Sequence, residues 1–166
     1  ITIELDGNVN NQTDELGNNL TGSIPTILDT LKNLQTLALG GNKLTGNIPN
    51  FTLPNLLNLT LGSNQLTGTI PNFNLPNLSN LILTNNRLSD SIPTFNNLNL
   101  GLLGLANNQL SGSIPTFNMS KLVILLLQNN QLSGNIPNFN LPNMHWLICF
   151  NNKLMGSIPD LSKNVN

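Results

Sequence analysis

Ile-Pro pairs recur along this chain at Ile24-Pro25, Ile48-Pro49, Ile70-Pro71, Ile92-Pro93, Ile114-Pro115, Ile136-Pro137 and Ile158-Pro159. The first step is 24 and the five that follow are each 22. No other feature constrains the fold so tightly. A unit this short cannot bury an apolar face alone, so successive units must stack on one another as a solenoid.

Other positions keep the same period. Leu34, Leu56, Leu78, Leu100, Leu122 and Met144 form one column, and Leu37, Leu59, Leu81, Leu103, Leu125 and Leu147 the next. Leu39, Leu61, Leu83, Leu105, Leu127 and Cys149 follow, then an Asn column (Asn42, Asn64, Asn86, Asn108, Asn130, Asn152), then Leu44 to Leu154. Phe51, Phe73, Phe95, Phe117 and Phe139 sit two residues after the Pro of the five inner pairs, with Ile27 and Leu161 in the outer ones. The repeat reads L-x-x-L-x-x-L-x-L-x-x-N-x-L-x-G-x-I-P, as in LPNLSNLILTNNRLSDSIP at residues 75–93. This pattern resembles the leucine-rich repeat family, and its L-[TS]-G-x-I-P half resembles the plant-specific subclass. The resemblance covers roughly residues 16–161. It implies a right-handed leucine-rich-repeat solenoid of about seven coils, with a parallel inner sheet and little helix. Plant members usually carry paired cysteines before the first repeat. This chain has none there, which points to a bacterial or protist source.

The residues support the same reading physically. In L-x-L two Leu point one way and the residue between them the other, so each coil opens with a short strand that has one buried face. Adjacent coils then lie about 4.8 Å apart as a parallel sheet. The column Asn can bond backbone groups that the turn leaves unpaired. Gly46, Gly68, Gly112, Gly134 and Gly156 permit a bend with positive φ, and Asp90 stands in that column once. Segments such as NFNLPN hold too many Pro and Asn for α-helix, so extended or 3-10 turns are expected on the outer side. Residues 1–15 read as an irregular first coil or partial cap, residues 16–161 as the repeats, and 162–166 as an uncapped tail. Uncapped ends would permit end-to-end self-association.

Composition excludes several functions. Only 8% of residues are charged and the net charge is −1. Binding to nucleic acid or to an anionic membrane surface needs clustered cations that are missing. No apolar run approaches the length of a membrane span. No basic leader precedes Ile1, so any secretion signal lies upstream of these residues. Between residues 30 and 159 the only carboxylate is Asp90, so the repeats cannot supply a catalytic acid pair. His145 and Cys149 are the sole residues of their types, too few for a metal site, and Cys149 occupies an inward Leu position. Six N-x-[ST] sequons begin at Asn11, Asn19, Asn50, Asn58, Asn77 and Asn118, about the number that 34 Asn give by chance. The chain reads as non-enzymatic, without cofactor or metal.

Function is then expected on an exposed face. Around L-x-L the early coils carry small or polar residues and the late coils large apolar ones. Leu102, Ile124, Leu126, Gln128, His145, Trp146, Ile148 and Phe150 form the candidate ligand site. Contiguous apolar patches mark contact surfaces, and Trp is a favoured anchor. The expected ligand is a protein, peptide or glycan bound on the inner sheet, in an extracellular or cell-surface setting. A second candidate is the L-[TS]-G-x-I-P edge, with Thr21, Thr45, Thr67, Thr69, Ser89, Ser91, Ser111 and Ser113 in hydroxyl ladders that resemble ice-binding solenoids. A structural spacer is the third reading.

Overall fold

A computed structural model describes residues 1–6, 18–95 and 99–160. Most of the expected partial cap (residues 7–15), Leu161 and the tail 162–166 lie outside the described residues.

Fourteen strands form two parallel seven-stranded sheets that alternate along the chain. The first, here the L-x-L sheet, holds β1 (Thr2–Glu4), β3 (Thr36–Ala38), β5 (Asn58–Thr60), β7 (Asn80–Ile82), β9 (Leu102–Gly104), β11 (Ile124–Leu126) and β13 (Trp146–Ile148), neighbours in that order. The second, the edge sheet, holds β2 (Thr21–Ser23), β4 (Lys43–Asn47), β6 (Gln65–Gly68), β8 (Arg87–Ser91), β10 (Gln109–Ser113), β12 (Gln131–Asn135) and β14 (Lys153–Met155). Pairing only with the previous and next coil is the one-dimensional architecture that the period requires. β1 pairs Thr2 with Thr36 in the register of the repeats, so the N-terminal segment already supplies a strand to the array.

The core is the set of columns read from the sequence. Leu37, Leu59, Leu81, Leu103 and Leu125 have no exposed surface, nor do Leu56, Leu100 and Leu122. Burying one such side chain contributes roughly 1.5–3 kcal/mol. The Phe column lies beneath the outer segments, with Phe95, Phe117 and Phe139 stacked at centroid distances of 6.5 and 6.1 Å. Burial depends on the neighbouring coil. In the last described coil Leu147, Cys149 and Leu154 are only partly buried, and Ile158 is 86% exposed where Ile114 is 4% exposed.

The turn Asn does several jobs at once. Asn86 Nδ2 donates to the carbonyls of Leu61 (3.0 Å), Leu83 (3.2 Å) and Thr84 (3.3 Å), while its Oδ1 accepts the Leu66 N–H at 3.0 Å. Asn64, Asn108, Asn130 and Asn152 repeat this pattern. The amide therefore ties two coils together and satisfies backbone groups that would otherwise be buried unpaired. A second Asn series stands just before it. Asn85, Asn107, Asn129 and Asn151 hold left-handed φ of 52 to 58°, a region Asn tolerates better than most residues, and their side chains bond coil to coil.

Outer segments are tight turns, with one 3-10 helix at Thr26–Thr30 among the described residues, as the Pro and Asn content predicts. Asp90 adopts φ 66° where the other edge strands have Gly, and β8 still pairs on both sides.

Candidate functional site

The two sheets differ in register. On the L-x-L sheet each strand partner lies one full repeat away, so equivalent positions stand directly opposite: Thr36, Asn58, Asn80, Leu102, Ile124 and Trp146 form one straight row. Ala38, Thr60, Ile82, Gly104, Leu126 and Ile148 form another. The structure thus brings Leu102, Ile124, Leu126, Trp146 and Ile148 together as neighbours on one face. Trp146 and Phe150 are 60% and 59% exposed, whereas the Leu147 between them turns inward to the core. Gln128 lies beside Phe150, whose carbonyl accepts the Asn129 N–H at 3.0 Å, and Gln128 Oε1 is buried without a partner among the described residues. His145 is exposed, with Nδ1 2.8 Å from the Asn143 carbonyl. The carbonyl can only accept, so Nδ1 carries the hydrogen of that contact.

An open recess forms between the last two coils, lined by Val123, Ile124, His145 and Trp146. The sequence pattern does not single out Val123. Its column also holds Gln35, Leu57, Ser79, Gly101 and His145, so the repeat gives it no character. Only its place just before β11, in the recess with His145 and Trp146, marks it. From Gln35 to Phe150 the outward positions of this sheet carry no Asp, Glu, Lys or Arg. The surface is thus neutral from β3 to β13, mostly small or polar over β3 to β7 and mostly apolar over β9 to β13, with Glu4 of β1 the charge at its N-terminal edge.

The edge sheet behaves differently. Its strand partners fall two positions short of a full repeat: Thr45 stands opposite Gln65, Thr67 opposite Arg87, and Ser111 opposite Gln131. A left-handed residue sits inside or at the end of β4, β6, β8, β10 and β12 (Gly46, Gly68, Asp90, Gly112, Gly134), and the pairing steps by two at each coil. Consequently Thr21, Thr45, Thr67, Ser89 and Ser111 do not lie opposite one another. Rows across the sheet mix types, for example Asn47, Thr67 and Arg87, or Ser113, Ser133 and Lys153, although Ser91 and Ser111 of the expected ladder do stand opposite each other. Thr21, Thr45, Thr67, Thr69, Ser91 and Ser113 are exposed and Ser89 and Ser111 half-buried. The hydroxyls are accessible, but they do not form the flat single-type ladders that the column spacing suggests.

Acid–base and metal chemistry find little to work with. Cys149 packs against the core, and burial pushes its thiol above the ordinary range, opposite to what a nucleophilic thiolate needs. Asp29 is held low mainly by the Thr52 backbone N–H, with the Thr52 hydroxyl and Lys32 adding to it, an exposed local brace between coils. Among the described residues no three His, Cys, Asp or Glu side chains cluster to hold a metal, and no helix is long and apolar enough to cross a membrane.

Comparison with known proteins agrees with this geometry. A leucine-rich repeat family profile matches residues 33–52. No curated protein sequence matches the chain. The ectodomain of the Arabidopsis receptor kinase HAESA, solved with a peptide hormone ligand, superposes with a TM-score of 0.83 at 38% identity over 89% of this chain and 26% of that one. Pollen Receptor Kinase 3 gives a TM-score of 0.73 at 32% identity, covering 87% of this chain and 76% of its own. A plant ice-binding protein gives 0.61 at 29% identity, covering 87% of this chain and 57% of that chain. Against two of the larger plant receptors matched, this chain spans 22% and 28% of their length. With its repeat, its two-sheet coil and a solved relative matched over most of both chains, the chain belongs to the leucine-rich repeat family and carries the plant-like form of the repeat.

Proposed function

We propose that this chain is a non-catalytic, extracellular binding module that holds an uncharged peptide or protein segment on the apolar half of its L-x-L sheet. One observation carries the reading: half-buried Leu102 and Ile124 and exposed Trp146 stand in register on adjacent strands, with exposed Phe150 alongside. An exposed Trp on a contiguous apolar patch has the character of an interface anchor. The absence of charge from the row favours a neutral ligand. The likeness to peptide-receptor ectodomains supports a peptide partner and a location outside the cell.

The test uses peptides selected on the intact chain from a displayed library. Trp146→Ala and Phe150→Ala should each weaken the selected peptides at least tenfold while leaving the unfolding midpoint nearly unchanged, because both side chains are mostly exposed. Unchanged affinity in both variants would overturn the reading.

Ice binding is the second reading, favoured by the likeness to the plant ice-binding protein. The two-residue stagger of the edge sheet weighs against it, since a lattice-matching face needs one residue type at regular spacing. Thermal hysteresis that is abolished by Thr67→Leu with Thr69→Leu would establish it in place of the first.

A further inference from the structure

The polar half of the L-x-L row is a directed chain of hydrogen bonds. Asn58 Nδ2 donates to Thr36 Oγ1 at 3.2 Å, and Asn80 Nδ2 donates to Asn58 Oδ1 at 2.6 Å. Each amide gives its hydrogen toward the N-terminal coils. The series ends at Asn80, whose strand neighbour on the other side is Leu102, and Leu has no donor to continue it. Asn80 Oδ1 is left as the terminal acceptor, with no described residue donating to it. An amide oxygen at the end of such a chain is polarised by the bonds behind it, so it is a better acceptor than an isolated one.

We propose that Asn80 is the specificity-determining residue of the ligand site: its Oδ1 accepts a hydrogen bond from a neutral N–H or O–H group at one end of a bound peptide, whose apolar side chains then run across Leu102, Ile124 and Trp146. This rests on the reading of the apolar half as the binding face and adds the orientation and chemistry of its occupant. Asn80 and Trp146 are three strands apart, about 14 Å at the spacing of a parallel sheet. Four extended residues span a similar length. The occupant is therefore a peptide that crosses the strands, with a neutral donor side chain at the Asn80 end and aliphatic or aromatic side chains at the Trp146 end. A charged residue anywhere along it would lose hydration with no countercharge on the row to offset the loss.

Two capped peptides test this on the full chain by calorimetric titration: acetyl-Asn-Leu-Leu-Phe-amide, which carries the side-chain donor, and acetyl-Ala-Leu-Leu-Phe-amide, which lacks it. The Asn peptide should bind about tenfold more tightly, a difference of one good hydrogen bond. Asn80→Leu should abolish that difference, mainly by weakening the Asn peptide, while Trp146→Ala should weaken both peptides equally. If Trp146→Ala weakens both but Asn80→Leu leaves the preference for Asn intact, the assignment of Asn80 fails and the binding face stands. If neither variant changes either affinity, or neither peptide binds at millimolar concentration, the binding face fails with it.

Discussion

The N-terminal and C-terminal halves of the L-x-L sheet are built on the same floor and finished differently. Leu37, Leu59 and Leu81 are fully buried beneath one half, as are Leu103 and Leu125 beneath much of the other. Above them the outward row changes from Thr36, Asn58 and Asn80 to Leu102, Ile124 and Trp146 without any change of register. The stacking of coils therefore constrains only inward positions. Outward ones are free to vary, and the change in character at β9 is where the proposed binding face begins.

The difference can be broken at its foundation first. Leu81→Ala should cost about 3 kcal/mol, since it leaves a cavity in a fully buried column, and chemical denaturation should show it. Asn80→Ala, one residue away and outward, should cost well under about 1 kcal/mol. Next comes the turn that serves both halves alike. Asn86→Ala should cost about 2–3 kcal/mol by the same assay, because it removes four bonds that tie two coils together and leaves the buried Leu66 N–H unpaired. Converting the polar half to the apolar pattern, Asn58→Ile with Asn80→Ile, should extend the exposed apolar strip. Stronger binding of an apolar dye and association visible by sedimentation are the expected outcomes. Asp90→Gly should stabilise the chain by about 1 kcal/mol, since φ of 66° strains a residue with a Cβ and suits glycine.

The smallest effect belongs to Asp29, far from the β9 change. Its carboxyl is depressed in the fold, so its contribution is present above its unfolded pKa, near 3.8, and is lost as the pH falls through the lower folded value. The Asp29 side chain keeps about a third of its surface in solvent and its Lys32 partner half, so screening leaves only a slight acid destabilisation, and Asp29→Asn should remove it.

Much of this is legible in the sequence. Columns at a period of 22 identify which residues are equivalent, and inward Leu, Phe and turn Asn follow from that alone. Asn85, Asn107, Asn129 and Asn151 show the limit. Their periodicity is visible, but their left-handed backbone and coil-to-coil bonding depend on the turn geometry. The edge sheet shows the limit more sharply. Equivalence does not say which residues stand opposite, and a left-handed residue in the edge strands accompanies a register two short of the repeat. The Thr and Ser columns are therefore real, yet they do not make the flat rows that their spacing leads one to expect. On the L-x-L sheet, register and repeat coincide, so Ile124 and Trp146 can be placed together from the sequence. Val123 and Asn80 cannot be singled out that way, because their significance lies in what stands beside them.

The repeat fixes the floor, and the proposed binding lies on the apolar half of the row above it. Titrating acetyl-Asn-Leu-Leu-Phe-amide into the chain and its Trp146→Ala and Thr60→Ala variants tests it most directly. The account predicts at least a tenfold loss of affinity for Trp146→Ala and none for Thr60→Ala, which lies in the polar half. Equal losses in both variants, or a loss confined to Thr60→Ala, would contradict it.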